Sequence, residues 1–142
     1  MRRCAVWLGG ILALISAAGG KQQPDNPDLL GVWRANEGTL PSITLHVTNE
    51  GGTLAGAIVF YLIRREAGKE PTSSPGIPGP LLNPKLDGNT LNFEVSHRLA
   101  HPPRTLSDPP VTFHLKLAGP SRAELTREKD GEKFEMVKDR YK

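Results

Sequence analysis

Gly31-Val32-Trp33, then Ile43-Thr44-Leu45-His46-Val47-Thr48, then Glu50-Gly51-Gly52 and the run from Thr53 to Ile63 decide the fold. In the second segment Ile43, Leu45 and Val47 alternate with Thr44, His46 and Thr48. A period of two puts one set on each face of a half-buried strand. Glu50-Gly51-Gly52 supplies residues that reach positive φ without steric cost, so it predicts a tight turn into the next strand. That strand carries Leu54, Gly56, Ile58, Phe60 and Leu62 on one face, and from Val59 onward Tyr61 and Ile63 make the other face apolar too.

The same alternation recurs downstream. Leu91, Phe93 and Val95 alternate with Asn92 and Glu94, and Val111, Phe113, Leu115 and Leu117 alternate with Thr112, His114 and Lys116. Asp87-Gly88-Asn89, Gly119-Pro120-Ser121 and Lys129-Asp130-Gly131 mark turns. Further strands are expected near residues 29–35, 81–86, 122–128 and 133–137, the last with a short helix as the competing reading. Nine of the 13 prolines fall in residues 71–84 and 97–110. Proline removes ladder donors, so residues 71–80 and 97–110 read as loops rather than sheet interior. The expected fold is all-β: an antiparallel meander of seven or eight strands forming a small, closed or nearly closed barrel, with a two-sheet sandwich as the alternative.

Residues 1–20 read as a secretory signal peptide. Arg2 and Arg3 precede an apolar run from Val6 to Ala18, which ends in small residues and is followed by Lys21-Gln22-Gln23. The run is shorter than the roughly 20 residues that span a bilayer, so no stable membrane insertion is expected once it is removed. Cys4, the single cysteine, precedes the apolar run, where an acylated cysteine would not lie. Residues 21–28 form a flexible lead-in, and 29–142 form one domain. The protein is expected to be secreted or periplasmic, with a core that folds without disulfides. Without Arg2 and Arg3 the chain holds 16 basic and 15 acidic side chains. That balance gives no footprint for nucleic acid.

Gly31-Val32-Trp33 on a first strand resembles the Gly-x-Trp of the calycins, the lipocalin and avidin group of ligand-binding barrels. The resemblance implies that Trp33 plugs one barrel end and that a basic residue near the last strand packs across it: Arg127, Lys138 or Arg140. The run from Ile43 to Gly56 is similar to the first avidin hairpin. Avidin-type binding uses several tryptophans, and beyond the signal this chain has only Trp33. A closer resemblance is to a group of uncharacterised secreted bacterial β-domains, carried by Leu45-His46-Val47 and Gly88-Asn89-Thr90-Leu91-Asn92-Phe93-Glu94-Val95. It implies a fold and an address rather than an activity.

No G-x-S-x-G, S-x-x-K or Walker motif occurs. The expected role is therefore non-catalytic: binding a small apolar or anionic molecule. Phe60, Phe93 and Phe113 would line an interior, and Tyr61, Arg64 and Arg65 would stand at its mouth to orient an anion. The alternative is a protein-interaction module of the cell envelope that uses the two Pro-rich loops. Least favoured is a metal-dependent enzyme built on His97 and His101, whose spacing suits a shared ion. No cofactor is expected, and no protein partner is identifiable. His46 and His114 would form a cross-strand pair only if their strands were neighbours.

Overall fold

The computed structural model describes residues 26–96 and 109–140. The expected signal peptide and the His97–His101 pair lie outside the described residues. The chain opens with a single 3-10 turn, Pro27–Leu29, capped by the Asn26 side chain. Ten strand segments follow: β1 Gly31–Glu37, β2 Leu40–Glu50, β3 Thr53–Arg64, β4 Thr72–Pro75, β5 Gly79–Pro80, β6 Leu82–Asp87, β7 Thr90–Val95, β8 Val111–Gly119, β9 Arg122–Arg127 and β10 Lys133–Lys138. All pairings are antiparallel. Nine strands form one curled sheet in the order β4-β3-β2-β1-β10-β9-β8-β7-β6, and β5 pairs with β3 off that path. The C-terminal segment is strand, not helix.

The alternation read from the sequence sets the faces. Trp33, Leu45, Ile58, Leu91, Phe93, Leu115, Leu125 and Met136 are all fully buried on one side of the sheet. Burying each large apolar side chain contributes on the order of 1.5–3 kcal/mol, which is how a core without disulfides can hold. No side chain of a polar or charged residue is buried among the described residues. The core is therefore built of apolar residues, and apart from the Trp33 indole N–H its hydrogen bonding is carried by the backbone.

The stretch read as a loop, 71–80, is largely paired. Tyr61, Leu62, Ile63 and Arg64 of β3 face Pro75, Ser74, Ser73 and Thr72 of β4. Gly76 N–H donates to Phe60 O at 2.9 Å, Ile58 and Ala57 face Gly79 and Pro80, and Leu81 N–H donates to Gly56 O at 3.0 Å. Residues 72–81 thus run along most of β3, with Ile77 and Pro78 together opposite Val59 as a bulge. Proline is tolerated because this is an edge. Gly76 points its N–H at β3, so by alternation the nitrogen of Pro75 points away from the sheet, where no ladder donor is needed.

Gly56 makes this approach possible. A Cβ there would collide with the carbonyl oxygen of His46 and would lie 3.0 Å from Leu81 Cδ1. The collision is with backbone, so it cannot be relieved by a side-chain rotation. Gly56→Ala is expected to destabilise the fold by about 1–3 kcal/mol. Thermal or urea unfolding checks this, and a variant melting with the parent would contradict the packing.

The β9–β10 hairpin is clasped by charge. Arg127 Nε and Nη2 donate to Asp130 at 3.0 and 2.7 Å, and Arg127 also pairs with Glu132. The hydrogen bond from Arg127, helped by the Glu132 backbone N–H, lowers the Asp130 carboxyl from 3.8 to about 2. The bond to Asp130 correspondingly raises Arg127. The folded-state value lies below the unfolded one. The clasp is therefore fully stabilising above about pH 4, and its contribution is lost as the pH falls through about 2. In Asp130→Asn that component should vanish, so its melting temperature should fall less steeply between pH 5 and pH 2 than the parent's. Parallel slopes would contradict the assignment.

Candidate functional site

Trp33 organises the seam between the first and last strands. Its ring is fully buried, level with Leu45 and Ile58 across the sheet. A buried indole N–H needs an acceptor, and Nε1 donates to Leu29 O at 2.9 Å. That carbonyl is presented by the 3-10 turn, whose Leu29 side chain is itself buried. Lys138, opposite Trp33 on β10, places Nζ 5.5 Å from the ring centroid and donates to Asp28 O at 2.9 Å. Of the three basic residues considered, Lys138 is the one over the indole. Arg127 belongs to the hairpin clasp, and Arg140 donates to Ser121 Oγ at 2.9 Å.

The same geometry explains the glycine of Gly-x-Trp. Gly31 has φ 120°, a region closed to most L side chains, and a Cβ there would lie 3.0 Å from Lys138 Cε. The lysine stem crosses where a side chain would otherwise stand.

The residues expected to line a binding interior and to stand at its mouth divide between the two faces. Phe60, Phe93 and Phe113 come together: the Phe93 and Phe113 rings stack with centroids 5.7 Å apart, and Phe60 lies 5.8 Å from Phe113. Phe93 and Phe113 are buried, so they are part of the packed core. Tyr61, one residue from Phe60, belongs to the opposite face, with its hydroxyl 3.3 Å from Thr44 Oγ1. Arg65 pairs with Glu37, and Arg64 is exposed opposite Thr72. These six residues do not converge on a single point. His46 and His114 are not neighbours, because β2 pairs with β1 and β3 while β8 pairs with β7 and β9.

Among the described residues three large apolar side chains are well exposed: Leu62 (57%), Ile77 (73%) and Val137 (49%). Leu62 lies four residues along β3 from Ile58, and Ile77 sits on the bulge opposite Val59. Their prominence was not readable from alternation, which assigned Leu62 inward. Leu62 projects beyond the last layer of core side chains.

Among the hollows lined by described residues, two lie on the outer face. One, about 420 Å³, runs along β1 and β10 between the Arg34–Asp139 ion pair, Asn36, Glu135 and Val137. The other, about 380 Å³, crosses β6 to β8. Among the described residues no three His, Cys, Asp or Glu side chains converge as a metal site, and no helix is long and apolar enough to cross a membrane.

No protein-family model matches the chain, no curated protein is significantly similar to it, and no solved structure matches its fold.

The Lys138–Trp33–Asp28 arrangement makes a prediction. Lys138→Met keeps the stem but removes the cation and its hydrogen bond, and should lower stability by about 1–2 kcal/mol. It should also shift the Trp33 emission. Unchanged melting and emission would show that the ammonium is dispensable.

Proposed function

We propose that this chain is an exported, non-catalytic binding domain built as a calycin-like barrel. The strand path supports a ring. β5 pairs with β3, β6 pairs with β7, and only Leu81 separates the two, so one strand joins both sides. Counting β5 and β6 as that strand gives eight around the ring, with the short β4 set on the upper half of β3. The lysine laid over the Gly-x-Trp indole supports the calycin comparison.

The observation that carries the binding reading is the contrast between the two ends. At one, Trp33, Leu29 and Lys138 form a sealed plug. Toward the other, Leu62 stands exposed beyond the half-buried Phe60, while Ile77 is exposed on the bulge opposite Val59, between the two. Exposed large apolar side chains at one end of a small domain mark a contact site for an apolar partner. With the phenylalanines packed together, the ligand is read as meeting the rim rather than filling the interior. Arg64 on the same rim suits an anionic group on it, Arg65 being paired with Glu37.

A second reading, a protein-interaction module using the Pro-rich segment, is favoured by the 73% exposure of Ile77 on its bulge. Strand addition at β4 is the less suitable form of it, because Pro75 withholds an outward donor.

Native mass spectrometry of protein purified from its exporting cell tests the proposal. A retained small molecule or protein partner, lost in the Leu62→Ser/Ile77→Ser double variant, is the expected result. A bare chain under gentle ionisation, with no partner recovered, would count against it.

A further inference from the structure

The outer side of a curled sheet is convex, so a hollow there needs a local cause. Between β6 and β8 that cause is the irregularity in β6 from Leu82 to Lys85. Asn83 within it is the one non-glycine residue at positive φ (47°) among the described residues. A left-handed asparagine at a bulge redirects its side chain, and such outliers concentrate at functional sites. The resulting hollow of about 380 Å³ is lined by Asn83, Lys85, Asn92, Glu94 and Thr112, together with Phe93. It falls at the small end of the roughly 300–1,000 Å³ of small-molecule sites.

Both amides in the hollow are held in place by protein partners. Asn83 Nδ2 donates to Glu94 Oε2 at 3.0 Å. Asn92 Oδ1 lies 2.5 Å from His114 Nδ1, and His114 Nε2 lies 3.0 Å from Glu128 Oε2 on the far side of the ring. This leaves Asn83 Oδ1 and Glu94 Oε1 as acceptors. Asn92 Nδ2, the Thr112 hydroxyl and the Lys85 ammonium remain as donors, and Lys85 has no ion pair among the described residues. Donors and acceptors are interspersed on adjacent strands, about 4.8 Å apart.

Lys85 and Glu94 offset each other in charge. An anion in the hollow would meet Glu94, and a cation would meet Lys85. A neutral ligand whose groups each donate and accept satisfies both sets at once. We propose that this outer hollow is a saccharide site, taking the hydroxyl-bearing edge of a neutral sugar ring against Asn83, Asn92 and Glu94. Pre-orientation of the amides reduces the ordering cost of binding. The site is separate from the rim around Leu62 and stands or falls independently of the role proposed for that rim.

Side-chain amide NMR of the purified protein, titrated with glucose, galactose, mannose and N-acetylglucosamine, tests the proposal. At least one sugar should produce saturable shifts at Asn83 and Asn92. Asn83→Gly accepts the same backbone conformation and deletes the amide, so it should weaken binding about tenfold, as loss of one well-placed hydrogen bond would. Val137→Ser, at an exposed position on β10, should leave the titration unchanged. Absence of saturable shifts with all four sugars, or shifts undiminished in folded Asn83→Gly, would overturn the proposal.

Discussion

A buried indole carries one polar group into an apolar core, and the structure is arranged around satisfying it. Trp33 Nε1 reaches Leu29 O, which requires the 3-10 turn to fold under the sheet. Lys138 ties that turn to the last strand through Asp28 O while lying over the ring. First strand, last strand and N-terminal turn thus meet at one side chain. The β1–β10 register extends over only Trp33↔Lys138 and Arg34↔Val137, yet it joins the two halves of the sheet. Asp139 N–H adds a bond to Val32 O at 2.8 Å in the same place. The seam is short in ladder bonds and is reinforced by the indole.

Alongside β3, backbone proximity rather than a large side chain brings residues 72–81 close. Gly56 lets the His46 carbonyl and Leu81 come close, and the chain passes from β3 to β7 through residues 79–87. One glycine and one tryptophan thus stand at the two closest approaches described in the curled sheet. The remaining core residues fill the space between them at ordinary cost.

Much of this fold was legible in the sequence. Ile43-Thr44-Leu45-His46-Val47 and Leu91-Asn92-Phe93-Glu94-Val95 each bury one face, as a period of two requires. The turns at 51–52, 88 and 131 lie where glycines reach positive φ. β4 and β5 were not legible, because proline argues against a sheet interior but says nothing against an edge. Which basic residue meets Trp33 depends on the β1–β10 register, and register is not written in composition. The rim and the outer hollow were hidden for a similar reason. Exposure of Leu62 follows from where the core ends, and the hollow follows from the bulge at Asn83. Asn83-Pro84 was a break signal inside an expected strand, and it was the one local clue to that bulge.

The central claim is that the Trp33 ring is sealed from solvent. With Trp7→Phe removing the other indole of the full chain, fluorescence reports Trp33 alone. The account predicts blue-shifted emission that iodide and acrylamide barely quench in the folded protein, as befits a ring with 0% exposure. Red-shifted emission, readily quenched before any loss of β structure, would contradict it.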